Sequence, residues 1–112
     1  MADRPDLYQL AAAVRAYFDQ VHGTRTDERV RRVLHVTEEA GEAARAMLGQ
    51  LAWSPRLDGN PSHGADDVDD ELADTVMAAL LAMTGDPATV MARHAVKSNA
   101  RLGRLPGTEV RR

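Results

Sequence analysis

Glu38-Glu39-Ala40-Gly41-Glu42 and Glu71-Leu72-Ala73-Asp74 are the stretches of this chain best equipped for chemistry. On a helix of 3.6 residues per turn, Glu39 and Glu42 project about 60° apart, and so do Glu71 and Asp74. Each pair therefore leaves its helix from one face. Two such pairs facing each other repel unless a hard cation lies between them, and Mg²⁺, with Mn²⁺ as a substitute, favours all-oxygen ligation. A solvated helix face would account for Glu38, Glu39 and Glu42 on their own. The affinity of acids for a helix N-terminus accounts for Asp66, Asp67, Asp69 and Asp70. It does not account for Asp74, which lies deeper. Glu71 and Asp74 also precede the apolar run Val76 to Met83, where ionised groups are costly unless paired. The two clusters together predict a metal cage.

A second set of residues suits phosphate. Arg93, Lys97, Arg101 and Arg104 recur at helical spacing, and a Lys and an Arg one turn apart can clamp phosphoryl oxygens, with Asn99 nearby. The competing reading is a solvated basic face. His35, His63 and His94 are each read as structural and left outside the metal shell. Trp53 either stacks on a base or plugs the core. No glycine-rich phosphate loop, GxSxG or HExxH motif occurs. The Glu-x-x-His pairs of a di-iron bundle are also missing, which favours a redox-inactive ion.

These residues must be held by a small protein. The 112 residues are read as one domain, with a core from about residue 5 to 102 and a flexible tail over 103–112. Ala, Leu, Val and Met dominate the apolar fraction, and one Trp, two Tyr and one Phe are the only aromatics, a mix that favours helices. The net charge of −3 conceals an acidic centre from Asp66 to Asp74 and a segment after Pro87 whose only acid is Glu109. That asymmetry suits a metal with a phosphorylated ligand and suits long nucleic acid poorly. The absence of cysteine is compatible with a reducing compartment. With neither a membrane-length apolar stretch nor a signal-like N-terminus, a cytoplasmic protein with no membrane partner is expected.

Four helices are expected. The first runs from about Pro5 to His22 on a stripe of Leu7, Leu10, Ala11, Val14, Tyr17, Phe18 and Val21, with Asp3 as a cap and Gly23 as the stop. The second runs from about Asp27 to Leu51, capped by Thr26 or Asp27. Its expected core stripe is Val30, Val33, Leu34, Thr37, Gly41, Ala44, Met47, Leu48 and Leu51. Gly41 is costly in mid-helix by about 1 kcal/mol, which a close neighbouring backbone would justify. After a loop over Ser54 to Gly64, the third helix starts near Asp66 or Asp67 and runs to Met83. Its all-round apolar run predicts burial on every side, hence a homo-oligomer. Gly85, Asp86 and Pro87 then stop one helix and start another, which reaches about Leu102.

The carboxylate pattern resembles the MazG-like branch of the all-α nucleoside triphosphate pyrophosphatases, a superfamily that includes dimeric dUTPases and phosphoribosyl-ATP pyrophosphatases. Its EExxE and ExxD motifs are matched by Glu38-Glu39-x-x-Glu42 and Glu71-x-x-Asp74, in TEEAGEA and DELADTVMAAL contexts. The similarity spans roughly Leu7 to Arg101, and the loop from Pro55-Arg56 to Ser62-His63, followed by Asp66-Asp67-Val68, also looks like small single-domain members. The resemblance implies an all-α, four-helix, oligomeric bundle, a homodimer or homotetramer. It implies Mg²⁺-dependent hydrolysis of a nucleoside triphosphate to monophosphate and pyrophosphate, serving house-cleaning or nucleotide-pool control. By position Glu39, Glu42, Glu71 and Asp74 match the family's metal ligands, and Glu38 the acid that orients or deprotonates water. Lys97, Asn99 and Arg101 look like its phosphate-binding residues, at tighter spacing. The alternative is a non-catalytic helical oligomer that binds metal or nucleotide as a sensor or interaction module.

Overall fold

The computed structural model describes residues 4–51, 57, 63–105 and 107. Among them the chain forms four α-helices and no strand: α1 (Leu7–His22), α2 (Thr26–Gln50), α3 (Ala65–Ala82) and α4 (Pro87–Leu102). They fall into two compact units, Met1–Ala82 with α1 to α3 and Met83–Arg112 with α4. No single described helix is long and apolar enough to cross a membrane. Asp3, Trp53 and most of the 54–64 loop lie outside the described residues, as do Glu109, Arg111 and Arg112.

Local chemistry sets the helix ends. Asp6 caps α1, its carboxylate accepting from the Tyr8 and Gln9 N–H groups at 2.8 and 3.1 Å. Gly23 ends α1 at φ 81, a backbone region open to glycine, and its N–H donates to the Asp19 carbonyl. The expected caps of α2 are displaced. Thr26 is already helical, Arg25 takes the cap position without a side-chain bond, and Asp27 and Glu28 instead occupy the first turn, where the helix dipole favours acids. At the start of α3 the Asp67 carboxylate accepts from the Gly64 N–H at 2.9 Å. Asp86 caps α4 by accepting from the Thr89 N–H at 3.0 Å, with Pro87 in the first turn. Beyond α4 the N–H groups of Gly103, Arg104 and Leu105 still donate to the carbonyls of Asn99, Arg101 and Leu102. Hydrogen-bonded turns thus occupy 103–105, and most of the remaining expected tail lies outside the described residues.

In the first unit α2 packs chiefly on α3, and α1 also meets α3. The face that α2 buries is not the one its apolar periodicity predicts. Glu28, Ala43, Ala46 and Gly49 are buried, with Arg32, Val36 and Glu39 half-buried between them. Small side chains let the α2 and α3 backbones come close. The larger Val30, Val33, Leu34, Met47, Leu48 and Leu51 lie almost opposite and are 39–57% exposed. Periodicity records which positions are apolar, not which of two stripes meets a neighbour. Within the single chain the apolar run of α3 is partly covered: Ala78 and Leu80 are buried, while Val76 is exposed. In α1 only Ala11 is buried.

One polar network ties α1 to α2. The Arg32 guanidinium donates to Asp19 Oδ1 at 2.6 Å, Glu28 Oε1 at 3.3 Å and the Gly23 carbonyl at 3.2 Å. Arg32 is held above its ordinary pKa, chiefly by the Asp19 hydrogen bond, against the opposing effect of burial. Its charge thus neutralises Glu28, which the helices bury.

Candidate metal centre

Packing of α2 on α3 brings the two carboxylate groups together. Glu39 and Glu42 of α2 and Glu71 of α3 each offer an oxygen within 4.8 Å of the others. Glu39 and Glu71 are half-buried and Glu42 is exposed. Glu71 Oε2 is buried and has no hydrogen-bond partner among the described residues. A buried carboxylate oxygen without a donor is unfavourable unless something positive meets it. Its neighbours make matters worse. Desolvation raises the Glu71 pKa above the ordinary carboxylate range first, followed by the charges of Glu42, Asp74 and Glu39 and a shared hydrogen bond with Glu42. Thr75 does not relieve the side chain, because its hydroxyl donates to the Glu71 backbone carbonyl instead.

Asp74 sits one turn further along α3, exposed, and acts on Glu71 through its charge without joining the trio. Glu38 points outward, its side chain 72% exposed. The histidine that the sequence reading set aside connects these acids. His35 Nδ1 lies 3.4 Å from Glu38 Oε2, and its Nε2 lies 3.3 Å from Glu39 Oε1. Both contacts become hydrogen bonds only with the doubly protonated ring, since neutral imidazole donates once. The legible signal was spacing: His35 stands three and four residues before two consecutive glutamates.

A cavity of about 410 Å³ opens beside the acids. Phe18 and His22 of α1, Glu28, Arg31, Arg32, His35 and Glu38 of α2, and Ala78 and Leu81 of α3 line it. The volume lies in the range that small-molecule sites occupy. Its wall combines ring and apolar surface with cations and two carboxylates, and one wall residue, His35, also contacts Glu39 of the carboxylate trio. No sequence pattern announces this cavity, because it exists only where three helices meet.

Lys97 and Arg101 stand one turn apart on α4 and are both exposed. Asn99, two residues from each, projects from the other side of the helix and is half-buried. The structure therefore groups the two cations and separates the amide from them.

The donor set fits a hard divalent cation: three carboxylates converge, and one buried oxygen has no partner among the described residues. Comparison with protein-family models, with curated proteins and with solved structures finds no match to this chain.

Proposed function

We propose that the chain is a Mg²⁺-dependent nucleoside triphosphate pyrophosphohydrolase of MazG-like type. The observation that carries this reading is the convergence of Glu39, Glu42 and Glu71, with an unpartnered buried oxygen on Glu71, beside a nucleotide-sized cavity. Magnesium held by that trio, with Asp74 adjoining, would supply positive charge against the phosphate oxygens.

The remaining roles belong to the chain's own groups. Glu38 is exposed on the cavity wall and serves as general base, taking a proton from the attacking water. His35 steadies the Glu38 and Glu39 carboxylates against each other. Arg31, largely exposed and paired only loosely with Glu28 at 3.6 Å, offers a cation to the substrate at the cavity rim. Phe18 and His22 supply ring surface for a base, and Ala78 and Leu81 an apolar wall. Water adds to one phosphorus, the bridging P–O bond breaks, and nucleoside monophosphate and pyrophosphate leave.

The test is a panel of standard, deoxy and oxidised nucleoside triphosphates incubated with magnesium, scored for monophosphate and pyrophosphate. Stoichiometric release of the two products from at least one substrate, abolished by a chelator, is the expected result. A blank across the panel would overturn the enzymatic reading and favour a metal- or nucleotide-binding module.

A further inference from the structure

Three helices give the cavity three kinds of wall. The rings of Phe18 and His22 come from α1, their centroids 5.9 Å apart, and Ala78 and Leu81 come from α3. The polar wall belongs to α2, and its most buried member is Glu28, whose side chain is 10% exposed. Glu28 Oε1 accepts from Arg32 Nε at 3.3 Å. Glu28 Oε2 lies 3.6 Å from Arg31 Nη1, too long for a hydrogen bond, and accepts none among the described residues. The pairing with Arg32 accounts for a carboxylate being buried here. It does not account for the second oxygen, which brings unused acceptor capacity to the cavity wall. Arg31 stands beside it, 73% exposed and able only to donate.

We infer that Glu28 and Arg31 read guanine, so that a guanine nucleoside triphosphate is the preferred substrate, which rests on the cavity being the nucleotide site proposed above. The match lies in the order of donors and acceptors. The pairing edge of guanine presents the 2-amino group, N1–H and O6 in sequence, two adjacent donors and then an acceptor. The two donors meet the Glu28 carboxylate, and Arg31 donates to O6. No other standard base offers two adjacent donors. In adenine and cytosine the amino group stands beside a bare ring nitrogen, and in uracil and thymine the N3–H lies between two carbonyls. Each of these sets a lone pair against the carboxylate and leaves a desolvated oxygen without its donor, the costly outcome for a buried charged group.

Position agrees with the chemistry. Glu28 precedes Glu39 on α2 by about three turns, or about 16 Å along the helix axis. Phosphates at the acids and a base at Glu28 therefore require an extended nucleotide, and a two-ring base reaches further than a pyrimidine. Phe18 and His22, one turn apart, offer ring surface on which a purine stacks, beside the apolar surface of Ala78 and Leu81. Stacking accepts either purine, so discrimination falls to Glu28 and Arg31. Arg32 is a positioning residue: its bonds to Asp19 and to the Gly23 carbonyl fix the guanidinium that orients Glu28.

Inosine isolates the contact, because its base keeps N1–H and O6 and lacks the 2-amino group. For the wild-type chain with magnesium, kcat/KM should be about 10–100-fold higher for GTP than for ITP, the worth of one hydrogen bond to a charged group. The margin over ATP, CTP and UTP should be wider. Glu28→Gln should bring the GTP-to-ITP ratio toward unity; if that variant does not fold, the wild-type ratio decides alone. Arg31→Met leaves the Glu28–Arg32 pair in place and should slow GTP and ITP alike, since both carry O6. Calorimetric titration with GMP, IMP and AMP repeats the ranking without hydrolysis. Tighter binding of GMP than of IMP and AMP, with no triphosphate cleaved, would uphold guanine recognition while the enzymatic reading fails. Magnesium-dependent cleavage at equal kcat/KM for GTP, ITP and ATP would overturn guanine recognition and leave the enzyme standing. A GTP preference unchanged in folded Glu28→Gln would overturn it too, and a chain that neither cleaves GTP nor binds GMP would overturn both.

Discussion

Replacing Glu71 with Gln should invert its own effect on stability when magnesium is added. Without metal, the Glu71 carboxylate is desolvated and repelled by Glu42, Asp74 and Glu39, which raises its pKa in the folded state. A group whose folded pKa is raised contributes stability that is complete below its unfolded pKa, about 4.3 for Glu. That contribution is lost as pH rises through the raised folded value. The wild-type protein in chelator should therefore lose melting temperature between acid and neutral pH, relative to Glu71→Gln. The amide carries no charge, and it can donate to Glu42 where a second carboxylate cannot. At neutral pH in chelator the variant should be the more stable protein.

Magnesium reverses the order. At a hundred times its Kd a ligand adds about 2.7 kcal/mol to the native state. For a chain of this length that corresponds to a rise in Tm of about 10 °C. Loss of one of three converging carboxylates should weaken binding at least tenfold, which cuts the gain at the same concentration to about 1.4 kcal/mol or less. Differential scanning fluorimetry of both proteins, with and without metal across pH 4 to pH 8, reads both signs. Equal magnesium shifts in the two proteins would refute the cage, and a destabilised variant in chelator would refute the repulsion that defines it.

Two further perturbations probe separate parts of the molecule. Glu38→Gln should lower kcat by about 10²–10⁴-fold, the usual worth of a general base, while the magnesium-induced Tm shift stays as in wild type; near-normal pyrophosphate release would remove Glu38 from the reaction. Arg32→Met removes the guanidinium that joins Asp19, Glu28 and the Gly23 carbonyl. After allowance for solvent screening it should cost about 2–3 kcal/mol in urea unfolding, partly restored by a second change, Glu28→Gln; a loss below about 0.5 kcal/mol would mean the network does not bind α1 to α2.

Much of the backbone plan could be read along the chain, because its determinants are local. Gly23, Asp86 and Pro87 act within a turn of where they stand, and the helices they bound run as periodicity predicts. The i, i+3 spacing of Glu39 and Glu42 likewise placed both on one side of α2 before any neighbour was known. Which side met a partner was a different matter. The apolar stripe through Val30, Leu34 and Leu48 outweighs the alanines in hydrophobicity, yet α3 packs on Ala43, Ala46 and Gly49, since close approach depends on side-chain size.

Sequence alone determined the four helices, most of their ends and the acidic residue types, all governed by interactions reaching a few positions along the chain. Tertiary structure decided that Glu71 meets Glu39 and Glu42, that His35 spans two glutamates, and that a cavity opens where α1, α2 and α3 meet. It also decided that the larger apolar stripe of α2 remains uncovered. The reason is physical: desolvation and charge repulsion depend on distances across space, and those distances do not exist until one helix has chosen which face of another to cover.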